Sequence, residues 1–324
     1  MSIANTAGTV QKKKLHDGMI KSSSTRRGDW IIAVICFIMM LVCILPMIHV
    51  LASSLSSPEA LMRSEVFLLP KGWNTEAYNE VLKPDKDEAG NDVENKYVHS
   101  LKFTAILTIG CTLLSISLTI CAAYPLIYTN LKGGKLISLF MLLTMYFSAG
   151  TIPNYLVLNS LGMLDTPWAL IVPNCISVFN VIIMRSFFYG VPDSLREAAE
   201  IDGAGPLRVL IRVYLPLSLP VIATLSLFYA VGRWNGFSDA LMYIKDEAAK
   251  AKYSPIQLLL YNLVTEATQK SEQIAQEGSS ATSAGVSKTI QMATVMFATV
   301  PILIVYPWLQ RYFVSGVTIG AVKG

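Results

Sequence analysis

The sequence predicts an all-α membrane protein with six transmembrane helices, both termini in the cytoplasm and a cytoplasmic helical loop between spans four and five. Three observations lead there. Only 15% of the 324 residues are charged against 53% hydrophobic, and mean hydropathy is +0.49; soluble domains carry about 25% charged residues. Apolar runs recur at the roughly 20-residue length that a helix needs to cross hydrocarbon. The basic residues gather on alternate connections, which is the pattern that sets orientation.

The predicted spans are 30–51, 101–128, 136–158, 168–188, 217–236 and 290–313. In the third, Gly150 and Pro153 interrupt the run. Either the helix kinks there, its freed carbonyl re-satisfied by neighbours, or it ends early and resumes as a short helix. Lys12, Lys13, Lys14, Lys21, Arg26 and Arg27 precede the first span. Lys132 and Lys135 lie between spans two and three, Arg185, Arg196, Arg208 and Arg212 around the loop between four and five, and Arg311 and Lys323 beyond the last core. All fall on one side, assigned to the cytoplasm. Residues 1–29 then form a basic cytoplasmic arm, 30–313 the permeation domain, and 314–324 a cytoplasmic tail.

The opposite side receives the connections 52–100, 159–167 and 237–289. The first carries nine Asp/Glu against five Lys/Arg, and its stretch "DKDEAGNDVENK" (85–96) reads as a mobile hairpin or excursion. In the last, "YSPIQLLLYNLVTE" (253–266) reads as an apolar-faced helix too brief to span, lying at the interface or on the bundle's outer face. The following 267–288, poor in large apolar residues, is expected to be flexible. The first run is too long for a signal-peptide core and lacks a small-residue cleavage site, so no cleavable signal is expected.

Composition also excludes function classes. Cys36, Cys43, Cys111, Cys121 and Cys175 sit singly in apolar runs and read as small buried hydrophobes, not as a disulfide or metal framework. His16, His49 and His99 are scattered, and no paired acids or metal-ligand spacing accompany any span. A membrane enzyme is therefore disfavoured, no metal is expected, and no nucleic-acid partner is expected.

The most charged stretch in the apolar half is "EAAEIDGAGPLRVLIRVYLP" (197–216). Ser194 followed by Glu197 fits a capping box, so a helix is expected to start there. Gly203 suits its C-terminal stop, with positive φ and its backbone against a neighbour. Gly205-Pro206 opens a second helix, with Pro in the tolerated first turn. Leu207, Leu210, Ile211 and Tyr214 form its expected apolar face, with Arg208 and Arg212 on another. Two readings stand: the pair of helices docks into another protein's groove, or it hugs lipid headgroups with the Arg pair on phosphates.

This segment resembles the EAA loop of ATP-binding-cassette import permeases, E-A-A-x3-G-x9-I-x-L-P. Glu197, Ala198, Ala199, Gly203, Leu215 and Pro216 match at that spacing, and Val213 replaces the usual Ile. "MRSFFYGVPDSLREAAEIDGA" (184–204), "WNGFSDALMYI" (234–244) and "YPWLQRYFVSGVTIGAVKG" (306–324) are similar to the carbohydrate-uptake branch. "YFSAGTIPNYLVLNSLGMLDTPWALIVP" (146–173) is similar to its LplC/YtcP-like subgroup, whose substrates are thought to be oligosaccharides, including pectin fragments. The resemblance implies a bacterial cytoplasmic-membrane permease subunit. It implies a heterodimer with a second related permease, two cytosolic ATPase subunits, and an extracytoplasmic binding protein that delivers the oligosaccharide. Glu197, Ala198, Ala199, Asp202, Gly203, Leu215 and Pro216 would carry ATPase coupling, and the tail 320–324 either reaches the same interface or frays. The chain itself lacks a G-x-x-x-x-G-K-[ST] loop: Gly134-Lys135 has no upstream Gly and is followed by Leu136. ATP and Mg would sit on the ATPase partners, and no cofactor is expected in this chain.

A polar solute needs polar groups at membrane depth, and these are costly unless they face a cavity. Asn154, Tyr155, Asn174, Asn180, Trp234 and Asn235 are the pathway candidates. Amides and aromatic faces suit sugars, and hydrogen bonding between helices is the competing use for each. The same architecture serving a peptide or a lipid-linked sugar is the alternative function.

Overall fold

The computed structural model describes residues 23–86, 92–128, 131–277 and 281–321. Most of the basic arm, the tip of the 85–96 stretch and the last three residues, Lys323 among them, lie outside these. The chain divides into two units, Met1–Ile48 and His49–Gly324. The described part of the first is the leading portion of α1 (Ser23–Ser54). From Trp30 to Ile48 its apolar side chains are exposed on every side. A helix that is hydrophobic all round is stable only with an apolar medium against it.

Among the described residues the second unit is nearly all helix. Short helices α2 (Pro58–Met62) and α3 (Glu76–Leu82) lead to a two-stranded antiparallel ladder, β1 (Asp85–Lys86) with β2 (Asp92–Val93). The long α4 (Lys96–Ala123) follows, capped by the Asn95 side chain on the Tyr97 amide. Its buried residues include a row of small side chains, Ser100, Thr104, Thr108, Cys111, Ser115 and Thr119, beside Leu107 and Ile116. Small residues let membrane helices approach closely. Against this row packs α12 (Leu219–Asn235), which also meets the long C-terminal α16 (Ala281–Ala321).

Among the described residues three helices are long and apolar enough to cross a membrane: Gly28–Ser54, Lys96–Ile127 and Gly285–Val305. Three bent pairs bring the number to six if each pair is one span. The third predicted span is one of these. It ends early: α5 (Gly134–Tyr146) and α6 (Thr151–Ser160) meet at 115°. At 13 residues α5 rises about 20 Å, short of the hydrocarbon thickness. Gly150, at φ 84°, makes the corner. The fourth was expected to be continuous and is not. The one-turn α7 (Trp168–Ile171) runs into a 3₁₀ turn at Val172–Asn174, and α8 (Val178–Tyr189) departs at 47°. Pro173 removes an amide there. The Ser177 N–H at the break donates instead to the Tyr229 hydroxyl, 3.1 Å away on α12, which also meets Thr119 Oγ1 at 2.7 Å. Backbone at membrane depth must find such partners.

The long second connection is helical: α13 (Ser238–Tyr243), α14 (Glu247–Tyr253) and α15 (Ile256–Glu277). The short helix expected at 253–266 is thus part of a 22-residue one, its Ile256 and Leu258 buried. Residues 267–277 and 281–288, read from sequence as a flexible stretch, are helical. Ala, Gln, Glu and Lys favour helix without supplying apolar bulk. Of the five cysteines only Cys111 is buried; Cys36, Cys43 and Cys121 are exposed on apolar helix faces. The reading of all five as buried is thus corrected: an apolar run in the sequence does not separate a protein core from an outward apolar face.

Candidate functional site

The loop that resembles the EAA motif begins with α9 (Asp193–Ile201). Its N-cap is Pro192, with no side-chain cap bond, so the expected capping box at Ser194 does not form. Ser194 already lies one residue inside the helix, because Pro192 holds the extended geometry a cap needs. The exposed face carries Arg196 among three carboxylates: Glu200 at 3.1 Å, Asp193 at 3.5 Å and Glu197 at 3.8 Å. The Glu200 hydrogen bond is the main reason its guanidinium holds its proton above the usual Arg range. The guanidinium also sits 5.7 Å over the Tyr128 ring.

The helix ends in a Schellman motif. The Gly203 amide donates to the Glu200 carbonyl at 3.0 Å, and Ala204 to Ala199 at 2.9 Å. Gly203 has φ 79°, the left-handed conformation that the stop requires. Its expected close neighbour is absent within the chain: a Cβ there would meet nothing within 4 Å. Asp202 is the C-cap.

The second helix runs α10 (Pro206–Val209), a π turn at Leu210–Tyr214, and α11 (Leu215–Leu217). The π turn rotates the face that was expected. Val209, Leu210 and Tyr214 are buried, whereas Leu207 and Ile211 are exposed. One extra residue per turn carries 207 and 211 away from the core stripe. The buried strip sits in a cluster of edge-to-face rings: Tyr124 meets Tyr128, Phe188 and Tyr214 at 5.4–6.3 Å. The Tyr124 hydroxyl donates to the Pro206 carbonyl at 2.9 Å and meets the Tyr128 hydroxyl at 2.7 Å. The loop is therefore braced on the ends of α4 and α8. Leu215 and Pro216 lie at its exit, where Pro206–Leu217 bends by 82° into Leu219–Asn235.

Of the six pathway candidates, the structure gathers two around α13. Asn174 Nδ2 donates to Asp239 Oδ2 at 2.7 Å. Tyr155 stacks on Tyr243 at 6.5 Å, with Lys245 Nζ 4.6 Å from its ring centre and 3.4 Å from its hydroxyl. Asp239 and Tyr243 are four apart on one helix and share a face. The group that completes this cluster is Arg233, which donates to the Leu170 carbonyl at 2.8 Å and to Asp239 Oδ2 at 3.0 Å. Its side chain is 11% exposed and that of Asp239 27%. Asp165, at φ 58°, accepts the Lys245 and Asp246 amides, which hold its carboxyl below the usual range. That contact fastens the turn before α7 to the start of α14. Flank counting overlooked Arg233, Asp239, Tyr243 and Lys245. An arginine inside an apolar run was the signal available for the first.

The other four candidates do not join. Asn180 is buried within α8. Trp234 Nε1 donates to the Ala298 carbonyl at 3.3 Å, in the turn before Pro301. That is the interhelical use, and Trp234 otherwise lines an apolar groove of about 420 Å³ with Leu101, Leu227 and Pro301. Asn154 and Asn235 are exposed. Among the described residues no cluster of three metal-ligating side chains occurs.

Residues 99–319 match the family described as binding-protein-dependent transport system inner membrane component. The chain belongs to that family. The permease is 39% identical, over 88% of its length and 94% of the relative's, to the polygalacturonan/rhamnogalacturonan transport system permease protein YtcP of Bacillus subtilis. Protein LplC of the same organism is also 39% identical, over 87% of this chain and 90% of that one. The trehalose/maltose transport system permease protein MalG of Thermococcus litoralis is 28% identical over 89% and 94%. Among solved structures, a bacterial ABC transporter involved in the import of the acidic polysaccharide alginate superposes with TM-score 0.75. Identity is 29%, covering 90% of this chain and 98% of that one. The permease thus stands among sugar ABC transporter permeases, and its apolar helices fit a membrane protein.

Proposed function

We propose that the permease forms, with a second related permease, the membrane pathway of an importer for oligosaccharides, carboxylate-bearing ones foremost. An extracytoplasmic binding protein delivers the substrate. Two cytosolic ATPase subunits hold ATP and Mg and drive the cycle in the bacterial cytoplasmic membrane. The single observation that carries this reading is full-length similarity to a polygalacturonan/rhamnogalacturonan permease, joined by fold similarity to an alginate importer. Two bent pairs, Gly134–Tyr146 with Thr151–Ser160 and Trp168–Asn174 with Val178–Tyr189, count as one span each and Leu219–Asn235 as the fifth, which with the three long helices gives six and leaves the EAA-like loop on the cytoplasmic side.

In this reading Glu197, Ala198, Ala199, Asp202 and Gly203 engage the ATPase, and Leu215 and Pro216 pass the motion to α12. ATP-driven closure of the ATPase pair pulls α9 toward its counterpart, a nucleotide-biased domain closure. The braced ring cluster makes α9 move with α4 and α8 instead of sliding past them. At the other end, Tyr155, stacked on the buried Tyr243, and Lys245 offer an aromatic face and a cation, which suit a sugar ring and its carboxylate. Asn174, Arg233 and Asp239 hold α13 in place behind them.

Co-expression with the neighbouring genes is the test. One copy of each permease and two ATPase copies are expected to purify together. In liposomes, uptake of galacturonide oligomers with the cognate binding protein should exceed that of neutral oligomers of equal length. A stable, active homodimer, or uptake of peptides alone, overturns the proposal.

A further inference from the structure

We propose that the second helix of the loop, Pro206–Leu217, is a lipid-binding element. It lays Leu207 and Ile211 into the cytoplasmic leaflet and places Arg208 and Arg212 on anionic phospholipid phosphates. The inference rests on the cytoplasmic placement of the loop proposed above.

Charge separates the two halves of the loop. In α9, Arg196 is enclosed by Asp193, Glu197 and Glu200. After Asp202 the next carboxylate in the chain is Asp239. Arg208 and Arg212 therefore lie on a segment without a single acid, and neither forms an ion pair among the described residues. Four apart, they share one edge of the helix.

Geometry places apolar surface beside that edge. Leu207 is 69% exposed and Ile211 54%, also four apart, while the opposite strip of Val209, Leu210 and Tyr214 is buried. The exposed apolar strip is thus a second face, additional to the one the core uses. Together Leu207, Ile211, Arg208, Arg212, Gly203 and Pro206 line an open depression of about 510 Å³. The helix turns 82° from Leu219–Asn235, the apolar helix that fills the predicted fifth span. A segment at right angles to a span lies along the membrane plane. An apolar strip edged by unpaired Arg, held in that plane, is the arrangement of an interfacial helix. An ATPase groove would cover the same strip without requiring the cationic edge, and α9, rich in carboxylates, is the half that shares the negative sign of anionic lipid.

The test uses the complete importer, reconstituted in phosphatidylcholine vesicles with or without phosphatidylglycerol. Its permease lacks the five native cysteines and carries a bimane label through Leu207→Cys or Ile211→Cys. Brominated lipid should quench both labels, and brominated phosphatidylglycerol should quench more than brominated phosphatidylcholine at equal fraction. Each Arg near an anionic surface strengthens association by about fivefold, so the double variant Arg208→Gln/Arg212→Gln should abolish the difference while quenching by both lipids persists. A label at Ile201→Cys, on α9, should not be quenched by either lipid. Lack of lipid quenching at Leu207 and Ile211, or equal quenching by the two lipids in the parent, overturns the proposal. Orientation is read separately. An impermeant thiol reagent added outside right-side-out vesicles should reach Lys71→Cys and spare Lys132→Cys. The reverse pattern sinks the cytoplasmic placement, whatever the quenching shows.

Discussion

Arg196 and Arg233 meet carboxylates in opposite ways. Arg196 lies on α9 with three acidic partners in reach, each 42–80% exposed. Arg233 closes the last turn of α12 with one carboxylate, shared with Asn174, and one carbonyl, all largely shielded. The first network is redundant and wet, so losing any one partner leaves the cation satisfied. The second has no spare acceptor, and losing either partner strands a charge or a donor. Neighbouring charges are easy to see in a sequence; how much they matter depends on burial and redundancy, which are not.

The largest effect should follow from stranding the buried partner. Breaking a buried pair costs about 3–5 kcal/mol, and partial exposure of Asp239 puts Arg233→Ala at the lower end. A marked drop in melting temperature in detergent is expected for Arg233→Ala and for Asp239→Ala. The pair Arg233→Met/Asp239→Leu should recover much of it. If either single variant melts with the parent, the contrast between the two arginines collapses.

Next comes Gly203→Val. A β-branched residue forced to φ 79° costs about 1–3 kcal/mol, without any clash inside the chain. Membrane insertion should survive, since the apolar runs are unchanged. Binding-protein-stimulated ATPase activity in liposomes should fall. Wild-type stimulation in a correctly assembled variant would remove α9 from the coupling role.

Tyr124→Phe should be milder. It deletes the hydroxyl that donates to the Pro206 carbonyl, a bond worth about 0.5–1.5 kcal/mol net, and leaves the ring cluster packed. A small melting shift with a measurable loss of coupling would show that the brace transmits motion. An unchanged coupling ratio would make it structural only.

Glu197→Ala should be nearly silent in stability, because exposed pairs are worth about 0–1 kcal/mol and Arg196 keeps Glu200 and Asp193. A loss of stimulated activity without a melting shift would then report contact with a partner. A large melting shift would contradict the redundancy argument.

The smallest expected effect is set by pH. The carboxyl of Asp165 is held below its usual range by the Asp246 and Lys245 amides, with Lys245 and Lys250 adding charge. A depressed folded value means that its contribution is complete above the unfolded value near 3.9 and is lost as pH falls through the folded one. Asp165→Asn should flatten that acid limb of the melting curve and leave neutral pH little changed. An identical acid limb in the variant would show that this turn is not held by the carboxylate.

Much of this was legible in the sequence because it rests on local chemistry. Lipid solvation demands long apolar runs, and those runs marked out the positions of the helices. Gly203 could be placed in the left-handed region, since a helix stop between acidic residues and a Gly-Pro pair has few other solutions. Asn174 and Tyr155 were singled out because polar groups in apolar segments need a reason. What remained hidden depends on distant partners. The break at Pro173 is not seen in the run until it is known which hydroxyl, here that of Tyr229, accepts the Ser177 amide. The π turn at 210–214 exchanged Leu207 and Ile211 for Val209, and only packing against the Tyr124 cluster selects that register. Arg233 and Asp239 are six apart in a stretch read for its aromatic residue. Their importance comes from the hydrogen bonds they share with Leu170 and Asn174, more than 55 positions earlier in the chain. Solvation and backbone stereochemistry act on neighbours in sequence, so the sequence alone determines them. Burial, helix register and the sharing of a hydrogen-bond acceptor act on neighbours in space, so only the tertiary structure decides them.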